Sequence, residues 1–207
     1  MTRGKPIGRL LVLEGIDGSG KSTLQRELLH RLRRRGWRVA AWREPVDPAM
    51  GRVAQALGAT DPLGSAVEFT VDRWLARPRL EALLRRRDVV VSDRSFYSTL
   101  AYQGSALPPP TRKSVARLQV AATVPPDQVL LLELPVSAAL CRVRERGALL
   151  APLERERTLR RVRAAYRAFA RREGWTVLDA RSAPKDLADR AERAVVARLP
   201  RRGRGRG

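Results

Sequence analysis

Cysteine and histidine are nearly missing from this 207-residue chain, where Cys141 and His30 stand alone. A single cysteine allows no disulfide framework and suits a reducing compartment, and a single histidine builds neither a metal cluster nor His-based catalysis. Cys141 is expected as a small core residue on a helix, and His30 at the solvent end of the first helix. No run approaches the roughly 18 apolar residues of a membrane span, and no secretory leader precedes the first apolar run, so a cytoplasmic protein with no membrane partner is expected. Lysine is scarce as well: Lys5, Lys21, Lys113 and Lys185 face 38 arginines. What remains, 43% hydrophobic residues, is ample for one core, read as a single domain over 1–200.

The formal charge of +21 would ordinarily point to nucleic acid. Here the arginines are spread along helical stretches such as Arg31 to Arg35 and Arg155 to Arg163, a pattern read as solvated basic faces under a coding bias. A positive field also suits a protein whose substrates are polyanions. The tail 201–207 holds only arginine and glycine and cannot pack. It is read as disordered, with a short RNA-binding segment as the alternative.

Residues 15 to 22 read Gly-Ile-Asp-Gly-Ser-Gly-Lys-Ser directly after the apolar run Leu10 to Leu13. A glycine-rich turn between a strand and a helix lets backbone N–H groups approach phosphate oxygens, with the positive helix end behind them. Gly15, Ile16, Asp17, Gly18, Ser19, Gly20, Lys21, Ser22 and Thr23 are therefore assigned to the phosphates of a nucleoside triphosphate, which the resemblance described below implies is ATP. Lys21 is placed to reach the β- and γ-phosphates, and the Ser22 hydroxyl to hold Mg²⁺.

Five apolar runs, Leu10–Glu14, Trp37–Trp42, Val89–Asp93, Val129–Leu134 and Thr176–Asp179, alternate with helical stretches. That alternation predicts an α/β fold, a five-stranded parallel sheet with helices on both faces. Between the first two runs Leu24, Leu28, Leu29 and Leu32 share one helical face that ends at Gly36. Around Gly147 and Pro152, two arginine-rich helices flank a stretch read as a mobile lid over about 147–157. The third run closes on Ser92-Asp93-Arg94 at the carboxyl edge of the sheet, where ligands of open α/β folds bind. Asp93 is placed to orient Mg²⁺ or its waters, and Arg94 to grip a second phosphate in a fork. No Asn-Lys-x-Asp segment follows, so a GTPase is not indicated.

Four segments carry a likeness: Glu14 to Thr23, Arg43-Glu44-Pro45, Phe69-x-x-Asp72-Arg73, and Asp93-Arg94 leading to Ser98-Thr99-Leu100-Ala101-Tyr102-Gln103-Gly104. In order and spacing they resemble the thymidylate kinases, from about Leu10 to Asp179. The resemblance implies a P-loop kinase fold, Mg²⁺-dependent transfer of the ATP γ-phosphoryl to dTMP giving dTDP, and a homodimer. It also implies that Phe69 stacks on thymine and that Arg73 reaches the base edge or the acceptor phosphate. Arg94 would bind that phosphate, with Glu44, Ser98 and Gln103 nearby and Tyr102 crowding the sugar 2′ position. Asp17 would accept from the 3′-hydroxyl. Read without the family, Phe69 and Trp74 have the alternative of being core residues of an amphipathic helix, and Tyr102 is equally a packed helix residue.

Part of the family carries an arginine after the loop aspartate, where this chain has Gly18. The neutralising cation is therefore expected from the lid, with Arg142 and Arg146 favoured among Arg142, Arg144, Arg146, Arg155 and Arg157. Three departures concern the acceptor. Ser95 stands where the family usually has tyrosine, Val46-Asp47-Pro48 replaces its usual glycines, and Ala151-Pro152-Leu153 replaces an Asp-Arg pair in the lid. They leave open a related kinase acting on another deoxynucleotide or on a deoxynucleoside, with Glu14 or Asp93 as base. A nucleotide-dependent RNA-binding protein is the non-enzymatic alternative.

Overall fold

Leu10, Leu11, Val12 and Leu13 contain no polar residue, as a strand covered on both faces requires. In the computed structural model, which describes residues 8–58, 60–145 and 156–199, they lie in β1 (Arg9–Glu14) at the centre of a five-stranded, all-parallel sheet. The order is β2 (Val39–Arg43), β3 (Val89–Asp93), β1, β4 (Gln128–Glu133), β5 (Thr176–Asp179). Leu11 and Leu13 face a cluster with α1 (Lys21–Arg34), α7 (Glu156–Glu173) and α8 (Pro184–Val196). Leu10 and Val12 face the other layer, with α3 (Pro62–Arg86), α4 (Phe96–Tyr102) and α5 (Pro109–Ala122). Each fully buried leucine contributes about 1.5–3 kcal/mol. The remaining helices are α2 (Pro48–Leu57) and α6 (Val136–Glu145).

The α/β expectation holds, with local corrections. The second strand starts at Val39, not Trp37, because Gly36 at φ +81° ends α1 in a left-handed cap and the Trp37 N–H donates back to the Leu32 carbonyl at 3.0 Å. Cys141 is exposed, because α6 turns Val136, Ala139, Leu140 and Val143 inward and leaves the thiol to donate to Glu145 at 3.2 Å. His30 is exposed, as expected, and Trp74 is 62% exposed, so its reading as a core residue fails. Arg146, Arg155, most of the expected lid and the tail lie outside the described residues.

The carboxyl ends of β1 and β3 lie side by side, with Leu13 opposite Asp93, and the Arg94 N–H donates to the Leu13 carbonyl at 3.0 Å. This register sets the glycine-rich loop beside the Asp-Arg pair.

Candidate active site

The loop after β1 depends on glycine at two positions. Gly15 has φ +149°, and a Cβ there would lie 2.7 Å from the Leu132 carbonyl; Gly18 has φ +82°, and its Cβ would lie 2.6 Å from the Ala139 carbonyl. An arginine at 18 would have to move α6, so the loop cannot supply that cation in this conformation. Lys21, the first residue of α1, folds back over the loop. Its Nζ donates to the Gly15 carbonyl at 2.9 Å and to that of Ile16 at 3.1 Å. Burial and the Arg94 guanidinium push its pKa down to about 8, against the attraction of Asp17, Asp93 and Glu14.

Ser22 Oγ donates to Asp93 Oδ2 at 2.5 Å, while Asp93 Oδ1 is buried without a hydrogen-bond partner. A hydroxyl beside a carboxylate oxygen that lacks a partner is a hard-oxygen pair, and it fits Mg²⁺, which binds through one or two protein oxygens plus waters and phosphates. Among the described residues there is no group of three or more His, Cys, Asp or Glu that could hold a metal by themselves.

Arg94 sits at φ +76°, a left-handed conformation rare for a side-chain-bearing residue. The turn brings its guanidinium to Asp17, with which it pairs, and to Ser98 Oγ at 3.2 Å, with the Tyr102 ring centroid 5.4 Å away. Tyr102 Oη donates to Asp17 Oδ2 at 2.7 Å. Burial alone would raise the Asp17 pKa; Arg94, Lys21 and the Tyr102 hydroxyl outweigh it and lower it to about 2.

Behind these groups lies Glu14, fully buried and held by three hydroxyls: Ser95 at 2.7 Å, Ser98 at 2.7 Å and Tyr166 at 2.9 Å. Burial raises its pKa, and the hydroxyls and Arg94 oppose the rise. Ser95, which stands where the family usually has tyrosine, thus caps α4 and also bonds this carboxylate.

A cavity of about 230 Å³ opens beside Asp17 and Arg94. All eight residues expected to contact the acceptor line it: Asp17, Glu44, Phe69, Arg73, Arg94, Ser98, Tyr102 and Gln103. Sequence reasoning missed Arg43, Pro45, Gln55, Ser95 and Thr99 on the same wall. Arg43, Pro45 and Thr99 are legible as members of the Arg-Glu-Pro and Ser98 to Gly104 segments, and Ser95 as the departure beside Arg94; Gln55 carries no signal, since α2 has no motif. The loop with Val46 and Asp47 is held by Asp72, whose two carboxylate oxygens each accept a backbone N–H at 2.8 Å.

Arg142 is not on this wall. Its Nη2 donates to the Ala180 carbonyl at 3.0 Å, and it lines a second cavity of about 770 Å³ with Ser19, Gly20, Thr23, Ala180 and Ser182. Arg144 and Arg157 are exposed.

The family model described as thymidylate kinase matches residues 13–191. The chain is 36% identical over 199 residues to a thymidylate kinase of Xanthomonas campestris pv. campestris (strain B100), covering 94% of this chain and 86% of that one. It is 36% identical over 211 residues to that of Xanthomonas oryzae pv. oryzae (strain PXO99A), covering 98% and 89%. A protein of Pyrobaculum aerophilum named "Probable thymidylate kinase" is 37% identical over 184 residues, 86% of this chain and 91% of that one. The glycine loop, the Asp-Arg strand end and the cavity beside them all lie within the matched span, and with this degree of identity the chain belongs to the thymidylate kinase family.

Proposed function

We propose that this chain is an ATP-dependent dTMP kinase of the cytoplasm, making dTDP for dTTP synthesis, and that the pairing of the carboxylates in its acceptor cavity carries that reading. A nucleoside hydroxyl needs a general base; a phosphate monoester, with a second pKa near 6, arrives already ionised. Neither Glu14 nor Asp93 lines the cavity: Glu14 is enclosed by three hydroxyls and Asp93 bonds Ser22. The carboxylates that do line it, Asp17 and Glu44, are paired with Arg94 and Arg73. Such a site suits an acceptor that brings its own negative oxygen.

Charge repulsion between two anions is then the main barrier, and positioning with neutralisation is the remedy. Lys21 and the loop N–H groups hold the donor phosphates, Arg94 holds the acceptor phosphate, and Asp17 accepts from the sugar 3′-hydroxyl. Ser22 and Asp93 would hold Mg²⁺, which when bound supplies positive charge to the donor phosphates. Tyr102, fixed by its bond to Asp17, crowds the sugar, and Phe69 offers its ring to the base. Arg142 and the Ala180–Ser182 turn flank the space beside the loop that suits the ATP base. Lid arginines complete the neutralisation.

With ATP and Mg²⁺, a panel of dTMP, dUMP, dCMP and thymidine is expected to give dTDP fastest. Absence of dTDP, or faster turnover of thymidine, overturns the reading.

The active unit is a homodimer. Leu63, Val67, Val71, Trp74 and Leu75 form one stripe along α3 at helical spacing, each at least 37% exposed, with Val53 of neighbouring α2 50% exposed. Such a stripe suits a second copy of the same surface. Trp74→Glu is expected to convert a dimer into a monomer in sedimentation velocity; a monomeric parent chain refutes the assignment.

A further inference from the structure

Gln119 of α5 is fully buried and lies outside both cavities, yet it touches the acceptor site through one bond. Its Nε2 donates to Thr70 Oγ at 2.5 Å and to the Ala66 carbonyl at 3.2 Å. The Thr70 hydroxyl proton itself goes to the Ala66 carbonyl at 2.6 Å, so Thr70 faces Gln119 only as an acceptor. Both amide protons are used, and Oε1 is left turned toward Arg73, accepting from Nη1. The flipped amide would set an NH₂ against a guanidinium N–H, so the orientation is fixed by chemistry.

On its other edge Arg73 is held by Glu44, whose Oε2 accepts from Nε at 2.9 Å and from Nη2 at 2.6 Å. Nη2 also reaches Thr99 Oγ, at a long 3.4 Å. A guanidinium has five N–H donors and no acceptor. What Arg73 can show the cavity is therefore donor capacity alone: its remaining Nη1 proton and the one in the long Thr99 contact. Phe69, one turn earlier on α3, lines the cavity beside it.

We propose that Gln119 is a positioning residue for acceptor-base selectivity: clamping Nη1, it aims the remaining N–H of Arg73 at a ring carbonyl and against a ring amino group. The inference rests on the reading that this cavity holds the pyrimidine of a nucleoside monophosphate. A keto oxygen accepts from Arg73, whereas an amino group meets donor with donor and leaves buried groups unpaired. Fixing the donor's direction is what makes that difference count.

Steady-state kinetics on Gln119→Leu with dTMP, dUMP and dCMP test it. Expected are a roughly tenfold rise in KM for dTMP, an ATP KM and a kcat within about twofold of the parent, and a roughly tenfold smaller preference for dTMP over dCMP. Thr70→Val, which frees the amide to turn while leaving Gln119 in place, should move selectivity the same way, and Thr70→Ser should restore it. In an Arg73→Lys background, Gln119→Leu should add nothing. Unchanged selectivity in Gln119→Leu overturns the proposal, or in Thr70→Val should the first variant not fold. A loss of kcat with the dTMP-to-dCMP ratio intact overturns it too, since that is what a merely structural role gives. A parent chain that makes no dTDP refutes the underlying site reading, whereas a parent that makes dTDP beside variants of unaltered selectivity refutes only the role of Gln119.

Discussion

Replacing Lys21 by methionine is expected to lower kcat for dTDP formation by about a thousandfold while leaving the thermal midpoint within about 3 °C of the parent. The first effect follows from position. The ammonium lies over the loop, on the carbonyls of Gly15 and Ile16, where the proposed function puts the donor phosphates, whose charge grows as ADP leaves. The second follows from a balance. Methionine leaves two loop carbonyls without a partner, but it also removes a buried ammonium that the fold disfavours, as the pKa of about 8 shows. Because the folded pKa is depressed, the native chain binds fewer protons than the unfolded one above pH about 8, and the Lys21 penalty fades as pH rises toward the ordinary lysine value. ATP reverses the depression by bringing phosphate charge. Binding at pH about 8.5 should therefore take up most of a proton at Lys21, measured by calorimetry in buffers of different ionisation enthalpy. That uptake should vanish in Lys21→Met. Unchanged turnover in the variant sinks the assignment of the loop.

The parts of this protein legible in its sequence are those where local chemistry dictates geometry. Leu10 to Leu13 can only be a strand covered on both faces, and the loop after it can only turn with glycine at 15 and 18. The five strands and α1 were readable for the same reason, since leucine and valine mark their buried positions. Three helices were not. The buried positions of α8 include Ala188 and Ala191, which leave little hydropathy signal; α2 is short and buries only Gly51 and Ala54; α4 lies inside a motif whose residues were read singly. The site divides along the same line. The eight residues expected at the acceptor line one cavity, because motif spacing on one helix or strand end fixes direction. The clamp on Arg73 was invisible, since Gln119 is 46 residues away and its side chain matters only through what it holds. Trp74 and Cys141 show the converse: an apolar residue on a helix reads as inward, whereas each sits on an outer face.

Arg94→Lys is expected to lower kcat/KM for dTMP by about 10²–10³-fold and to leave ATP affinity within about twofold. The backbone aims this side chain. With φ +76°, the N–H tied to the Leu13 carbonyl and Ser95 capping α4 immediately after, residue 94 is held in a conformation that costs an L-residue on the order of 1 kcal/mol. The strain turns the guanidinium over the cavity, where one nitrogen meets Asp17 and the other meets Ser98. Lysine keeps the charge but has no planar fork, so it cannot hold Asp17, Ser98 and a phosphate oxygen together. Asp17 reports the loss. Burial pushes its pKa up and Arg94 is the foremost group holding it near 2, so weakening the pair should raise that pKa. A carboxylate whose folded pKa is depressed stabilises the fold above its ordinary value, and that stability is lost as pH falls through the folded one. The variant should therefore lose stability at higher pH than the parent in an acid titration followed by circular dichroism. Equal losses of dTMP and ATP binding would mean that residue 94 serves the whole loop and not the acceptor phosphate.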